Sequence, residues 1–140
     1  MNNLEPTLFD SYRELYRPYV NAVNNKLAKY QLYTAQWGVL RLINNMKSCT
    51  SAELAKEMRV EKPSVTPIIK KLIELGYVEV TQGDDKREKY LRLTEKGNEV
   101  FSTIQEELDI LLNGLTEEIN EADLNTARSV LDQILKNILR

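Results

Sequence analysis

The chain of 140 residues has the length of one ordinary globular domain, and its 42% hydrophobic and 29% charged residues exclude a disordered or low-complexity protein. It contains no histidine and one cysteine, which excludes histidine-based catalysis, an internal disulfide and a zinc site built from several thiolates. The net charge of −2 is unevenly distributed: residues 59–92 carry 8 basic and 6 acidic side chains, whereas residues 93–140 carry 4 and 10, so a nucleic-acid-binding face has to be sought locally.

Apolar residues at three- and four-residue steps predict a long amphipathic first helix, formed around Leu8, Tyr12, Leu15, Tyr16, Tyr19, Val20, Val23 and Leu27. Pro18 lies inside this helix and predicts a kink or a break there. Thr34 is placed to cap a second helix. The apolar positions of that helix are Trp37, Val39, Leu40, Leu42, Ile43 and Met46.

Two short helices are predicted next. Thr50 and Glu53 have capping-box spacing and predict the start of a third helix. After a turn at Val60 and Glu61, a fourth helix is predicted over Lys62–Leu75, with a buried stripe of Val65, Ile68, Ile69, Leu72 and Ile73. Gly76 suits a left-handed helix stop. A proline past the first turn disrupts a helix, so either this one begins nearer Ser64 or a local distortion presents the Pro67 ring outward.

The rest of the chain predicts a hairpin followed by two helices. Tyr77–Gln82 and Arg87–Leu93 alternate in polarity around the turn Gly83-Asp84-Asp85-Lys86, and the inward residues are expected to be Val78, Val80, Leu91 and Leu93. Thr94 begins a helix with apolar positions Val100, Ile104, Leu108, Leu111 and Leu112. The final helix has an apolar seam of Leu124, Ala127, Leu131, Ile134 and Ile138, which step by three and four residues.

This order of elements predicts a mainly α fold with a small β-hairpin wing, a winged helix-turn-helix with long terminal dimerisation helices. We expect a single domain over 1–140, in which 34–93 form the DNA-binding part and 1–30 and 94–140 are dimerisation helices. The DNA-binding part is too small to bury the apolar stripes of the terminal helices, and a second copy of the chain is the simplest surface that could bury them. The predicted dimerisation residues are Leu124, Leu131, Ile134 and Ile138.

Several stretches resemble the MarR family of bacterial regulators, and the resemblance covers most of the chain. Ser51–Ala55 (SAELA) resembles the start of that family's third helix, and Lys62–Leu72 (KPSVTPIIKKL) resembles its recognition helix. Asp84–Arg87 (DDKR), followed by Leu91–Gly97 (LRLTEKG), resembles its wing and the helix beyond. The resemblance implies a homodimer whose recognition helices enter the major groove and whose wings reach the minor groove. It also implies that a small, often aromatic acid releases many members from DNA. The family's hydroperoxide sensors have a reactive cysteine near the start of the first helix, and this chain has none there.

The exposed side of the fourth helix is the predicted DNA-reading surface. Its short side chains are expected to approach base edges and its lysines to reach phosphates. These residues are Ser64, Thr66 and Pro67 for the bases and Lys62, Lys70 and Lys71 for the phosphates. A solvated helix face is the alternative, and the hairpin that follows at once favours DNA binding.

Asp85, Lys86 and Arg87 at the hairpin tip are predicted to bind DNA as well. A narrow minor groove attracts arginine, and the Asp85 carboxylate could hold the Arg87 guanidinium extended. The alternative is an exposed ion pair within the turn.

Other residues carry weaker signals. Tyr12, Tyr16 and Trp37 could line a ligand pocket between the first two helices, although aromatic residues at helical spacing are more often core. Cys49, in the loop before the third helix, is expected to be an inert thiol.

The sequence therefore predicts a cytoplasmic, dimeric, sequence-specific DNA-binding transcriptional regulator. We expect it to be a repressor, and we do not expect an enzyme. Its partners would be duplex DNA with an inverted repeat, a second copy of the chain and a small aromatic acid, with no cofactor, metal or membrane. The alternative is a winged-helix protein–protein interaction module without direct DNA readout.

Overall fold

The predicted helices and hairpin are all present in a computed structural model of the protein, which describes residues 6–85 and 87–140. The chain divides into two compact units, Met1–Leu108 and Asp109–Arg140. The elements are α1 Leu8–Leu27, a short 3-10 helix Ala28–Tyr30, α2 Thr34–Met46, α3 Ser51–Met58, α4 Lys62–Glu74, β1 Val78–Gln82, β2 Lys89–Leu93, α5 Glu95–Leu115 and α6 Glu121–Ile138. None of the described helices is both long enough and apolar enough to span a membrane.

Helix α1 begins in a capping box and runs through its proline. The Thr7 hydroxyl accepts a hydrogen bond from the Asp10 N–H at 3.2 Å, and the Thr7 N–H donates to the Asp10 carboxylate at 2.8 Å. The helix is continuous at Pro18, so of the predicted kink or break the break is wrong. Pro18 removes the donor for the Glu14 carbonyl, but both residues are exposed and water can replace that bond.

At the start of α2, backbone N–H groups bond to the side chains of Gln36 and Asn24 rather than to a capping residue. Thr34 was predicted to be the cap, and it is instead the first helical residue, preceded by Tyr33. The Gln36 side chain accepts from the Tyr33 N–H at 2.7 Å, and Asn24 of α1 accepts from the Thr34 N–H at 2.9 Å. Two N–H donors at this helix start, those of Tyr33 and Thr34, are therefore satisfied by a following glutamine and by a neighbouring helix.

Helices α3 and α4 form the helix-turn-helix. The Thr50–Glu53 capping box is confirmed, with reciprocal bonds of 3.1 and 3.0 Å. Arg59 makes the turn in a left-handed conformation at φ 58°. Helix α4 starts at Lys62 and includes Pro67, which excludes a start nearer Ser64.

The buried stripe of α4 is narrower than predicted. Val65, Ile69 and Leu72 are at most 7% exposed, whereas Ile73 is 40% exposed and was wrongly placed inward. Ile73 is one residue past Leu72, which turns it about 100° away from the stripe. Gly76 ends the segment at φ 81°, as expected of a left-handed stop.

The hairpin pairs β1 and β2 antiparallel, with Val80 opposite Leu91. The loop before α3 adds a short third edge, because Cys49 and Leu91 exchange backbone hydrogen bonds of 3.1 and 2.7 Å. Leu91 is buried as predicted, but Val80 is 45% exposed and its inward assignment is wrong. Strand β2 packs on α2 and α3, while β1 is the outer strand. Side chains on the same face of the hairpin are therefore buried to different extents.

The core of the first unit joins α1, α2, α3 and α4 to β2 and the first part of α5. Its fully buried side chains include Leu27, Leu32, Val39, Leu40, Ile43, Leu54, Val65, Leu72 and Ile104. Thr94 was predicted to begin α5, and it instead caps it from the position before Glu95, since its hydroxyl accepts from the Gly97 N–H at 3.0 Å. In the second unit, α6 is capped by Asn120, which accepts from the Ala122 N–H at 2.7 Å, and it has no buried residue.

Candidate nucleic-acid interface

The outer face of α4 carries the six predicted DNA-contacting residues, all of them exposed: Lys62, Ser64, Thr66, Pro67, Lys70 and Lys71. They lie on this face because the other side of the helix is fixed in the core by Val65, Ile69 and Leu72. Of the ion pairs that residues 6–85 and 87–140 form, none involves the three lysines. Their ammonium groups are therefore available to an external anion.

Pro67 lies in the interior of α4 and leaves the Pro63 carbonyl without a helical donor. Both prolines are exposed, so this part of α4 lies on the surface. The adjacent Thr66 hydroxyl donates to the Lys62 carbonyl at 3.3 Å. With its hydrogen used inside the helix, Thr66 presents a methyl group and acceptor lone pairs to a partner.

The wing tip is organised by Asp85 in a way that the sequence did not indicate. Its carboxylate accepts from the backbone N–H of Arg87 at 3.0 Å, and its carbonyl accepts from the Glu88 N–H at 2.9 Å. The expectation that the carboxylate holds the Arg87 guanidinium is therefore corrected, because the short aspartate side chain closes the turn onto the backbone instead. Arg87 is exposed, and the predicted contact residue Lys86 lies outside the described residues.

Of the two arginines in the hairpin, Arg87 is the one available to an external partner. Arg92, the other arginine of the hairpin, pairs across the strands with Glu79 at 2.6 Å, in the register that places the two residues opposite each other. At the tip, the Tyr90 ring lies across Gly83, where an added Cβ would come within 2.5 Å of the ring. Arg87 therefore stands exposed in a turn whose backbone N–H groups at Arg87 and Glu88 bond to Asp85.

The proposed ligand-pocket residues are not gathered in one place by the contacts of the described chain. The Tyr12 and Tyr16 rings lie 6.0 Å apart on an exposed face of α1. Trp37 is buried and stacks on Phe101 of α5, with ring centroids 5.1 Å apart. Phe101 was missed by the sequence analysis, although it continues the apolar spacing of Ile104 and Leu108 by one more turn.

Two surface cavities are lined by other residues. One, of about 520 Å³, is bounded by Ala28, Gln31, Leu32, Tyr33, Gln36 and Lys71. The other, of about 310 Å³, is bounded by Ile43, Asn44, Lys47, Arg92, Leu93 and Asn98. No group of three or more metal-ligating side chains occurs in the part of the chain that the structure describes.

Cys49 is fully buried next to β2. Burial raises the pKa of its thiol to about 11, and the nearby Glu53 carboxylate acts in the same direction. The thiolate is the reactive form, so a thiol whose pKa lies this far above neutrality is protonated in the folded protein. This environment agrees with the expectation of an inert cysteine.

We expect Cys49 to react with a disulfide reagent such as dithionitrobenzoate only when the protein unfolds. At pH 8 the native chain should show almost no absorbance change over an hour, whereas the same chain in guanidinium should release one equivalent at once. Well below pH 11 the native rate should stay low because the thiol remains protonated. Rapid labelling of the native protein at pH 8 would contradict the assignment.

The sequence model of the MarR family matches residues 32–89, a span that contains α4 and most of the wing. The chain is 30% identical to an uncharacterized HTH-type transcriptional regulator of Staphylococcus aureus strain MSSA476, over 98% of this chain and 96% of the relative. Among solved structures, Staphylococcus aureus MarR in complex with salicylate and kanamycin is 30% identical with a TM-score of 0.85, over 94% of this chain and 89% of that one. A mutant of Escherichia coli MarR in complex with operator DNA is 25% identical with a TM-score of 0.74, over 93% and 99%.

Proposed function

The chain belongs to the MarR family and is therefore a DNA-binding transcriptional regulator, not an enzyme, and we propose that it is a homodimeric repressor of an operator with inverted-repeat symmetry. The observation that carries the proposal is the exposed face of α4, on which three unpaired lysines flank short polar side chains. Lysines that reach phosphates supply affinity and register, while short side chains between them can approach base edges.

The same arrangement favours duplex DNA over a protein partner. The exposed face of α4 carries Lys62, Lys70 and Lys71, and Arg87 stands at the tip of the adjoining wing. A surface that docks protein is usually centred on apolar side chains with few charges. The complex of Escherichia coli MarR with operator DNA supports duplex DNA as the partner of this family.

The homodimer is supported by apolar residues that each unit leaves uncovered. On α6, Leu131 is 52% exposed and Ile138 is 72% exposed. On α1, Leu15 is 63% exposed. Two-fold symmetry would pair such faces with copies of themselves and present two α4 helices to successive major grooves, with half-site centres about 10 bp apart.

The test is binding to the intergenic DNA beside the gene as a function of salt. Three lysines from each of two protomers would neutralise about six phosphates, so log Kd should change with log salt with a slope of about 5. Between 50 and 200 mM salt the affinity should fall about 10³-fold. Footprints should show two symmetric half-sites. Absence of salt-sensitive duplex binding would favour the protein-interaction module instead.

We further propose that a small aromatic acid lowers DNA affinity by binding near the exposed rings of Tyr12 and Tyr16, which lie 6.0 Å apart on α1. The salicylate complex of Staphylococcus aureus MarR supports this class of effector. A panel of phenolic acids should include one that weakens operator binding by about 1–3 kcal/mol.

A Tyr12→Ala/Tyr16→Ala variant provides the control for the effector site. It should keep the DNA affinity of the wild type without effector and lose the response to the acid. If no acid in the panel changes the melting temperature or the DNA affinity of the wild type, the protein is not gated by this class of ligand.

A further inference from the structure

Three consecutive backbone carbonyls where the chain leaves α4 accept hydrogen bonds from one short segment at the start of α5. Lys96 Nζ donates to the Leu75 carbonyl at 2.9 Å, and the Thr94 hydroxyl donates to the Gly76 carbonyl at 2.5 Å. The Thr94 N–H donates to the Tyr77 carbonyl at 3.0 Å. Carbonyls at a helix end have no partner within the helix, so α5 supplies the partners for the connection between α4 and β1.

Lys96 makes the most extensive of these contacts. Its Cδ and Nζ lie 3.7 Å from the point where a Cβ on Gly76 would be, so its stem crosses the residue without a side chain. Its Nζ lies 5.4 Å from the centroid of the Tyr77 ring. The ammonium therefore combines a hydrogen bond at the C-terminal end of α4, where a cation is favourable, with a cation–π contact.

The backbone around Lys96 is packed tightly against the same segment. A Cβ added at Gly97 would come within 1.9 Å of the Tyr77 carbonyl oxygen, so only glycine permits this approach of α5. Tyr77 is 5% exposed, and its hydroxyl donates to the Tyr30 carbonyl at 2.9 Å. The base of the wing is thus enclosed by the start of α5 and the short helix that follows α1.

Apart from the contacts of Lys96, helix α4 and the wing are held in the core by different numbers of buried residues. Helix α4 has three buried residues, Val65, Ile69 and Leu72, that hold it in the core. The strands of the wing have two, Val78 in β1 and Leu91 in β2, and Val80 of the outer strand is 45% exposed. Loss of a contact at their junction should therefore shift the wing more than the helix.

We propose that Lys96 is a positioning residue for DNA recognition. Through the Leu75 carbonyl and the Tyr77 ring it fixes the direction in which the wing leaves α4, and with it the place that Arg87 reaches. Lys96 itself is expected to make no DNA contact. This inference rests on the proposed function in one respect, the binding of DNA by Arg87.

A double-mutant cycle tests the coupling. Lys96→Met keeps most of the apolar stem and removes the charge and the donor, and it should weaken operator binding about fivefold. Arg87→Ala should then cost about fivefold less in the Lys96→Met background than in the wild type, because part of the contact of the guanidinium with its groove is already lost. Lys70→Ala should cost the same in both backgrounds. Lys96→Arg, which retains a cation and an N–H donor, should bind like the wild type.

A second measurement does not involve DNA. Amide hydrogen exchange of the free protein should become faster in Val78–Gln82 and Lys89–Leu93 of the Lys96→Met variant, while the buried turns of α4 stay protected. Lys136→Met, which removes the same charge from α6, should leave both regions unchanged.

The outcomes separate the two ideas. If Arg87→Ala costs the same in both backgrounds and wing exchange is unchanged by Lys96→Met, Lys96 does not position the wing. If the wild type binds no duplex, or Arg87→Ala has no effect in it, the proposed DNA contact fails, and the exchange measurement alone then decides the role of Lys96.

Discussion

Replacing Leu131 and Ile138 of α6 by aspartate should leave a monomer or insoluble protein. Both side chains lie on the predicted seam, and both are more than half exposed in a single chain. In the proposed dimer they would be buried, and an unpaired buried charge costs about 3–5 kcal/mol. Two such charges per chain should raise the dimer Kd by 10⁴-fold or more, on the order of their summed cost.

The matched control places the same two charges on the opposite side of α6. Ser129→Asp/Gln133→Asp should remain dimeric, because these positions are about 160° from Leu131 around the helix axis. Sedimentation velocity over a range of concentrations distinguishes the outcomes. Because operator binding is proposed to need two α4 helices, the Leu131→Asp/Ile138→Asp variant should also lose its salt-sensitive affinity. A soluble dimer of normal stability from that variant would show that the interface lies elsewhere.

Two substitutions in the DNA-binding surface should weaken binding in different ways. Lys70→Ala removes one proposed phosphate contact per protomer, so it should weaken all duplexes alike and lower the salt slope by about 2 for the dimer. Arg87→Ala should cost about 1–3 kcal/mol on operators with narrow, A/T-rich flanking minor grooves and less on G/C-rich flanks. Fluorescence anisotropy with matched operator sets at several salt concentrations measures both effects.

Arg87→Lys separates charge from shape at the wing tip. It retains the positive charge but replaces the planar guanidinium by an ammonium, so it should keep the salt slope and lose most of the preference for A/T-rich flanks. The Asp85 bond to the residue 87 backbone is independent of this side chain, so the turn should persist in both variants. Binding of every duplex as tightly as by the wild type would show that Arg87 is not a DNA contact.

Periodicity and turn chemistry in the sequence predict most of the fold. The Thr50–Glu53 capping box, the left-handed Gly76 and the inward Val65, Ile69 and Leu72 were predicted from local signals and are confirmed. Such features depend on neighbours within four residues, which is the range over which sequence spacing carries information.

The errors occur where distant segments decide the outcome. Val80 and Leu91 lie on the same face of the hairpin, yet only Leu91 is packed under α2 and α3. The alternation of polarity therefore predicted which face each side chain lies on, but not whether another element buries it. Thr34 has a capping side chain, but Asn24 and Gln36 satisfy two N–H donors at that helix start. Pro18 does not break α1, because an exposed carbonyl can be hydrated.

The sequence by itself determined the order of the elements, the family, and the face of α4 that carries Lys62, Lys70 and Lys71, because each follows from local spacing and residue type. Only the tertiary structure decided how the wing is held. The contacts of Lys96 with Leu75 and Tyr77 span about twenty residues of chain, and the close approach of Gly97 to Tyr77 depends on the packing of α5. No local periodicity encodes such contacts, because they exist only after separate elements have packed together.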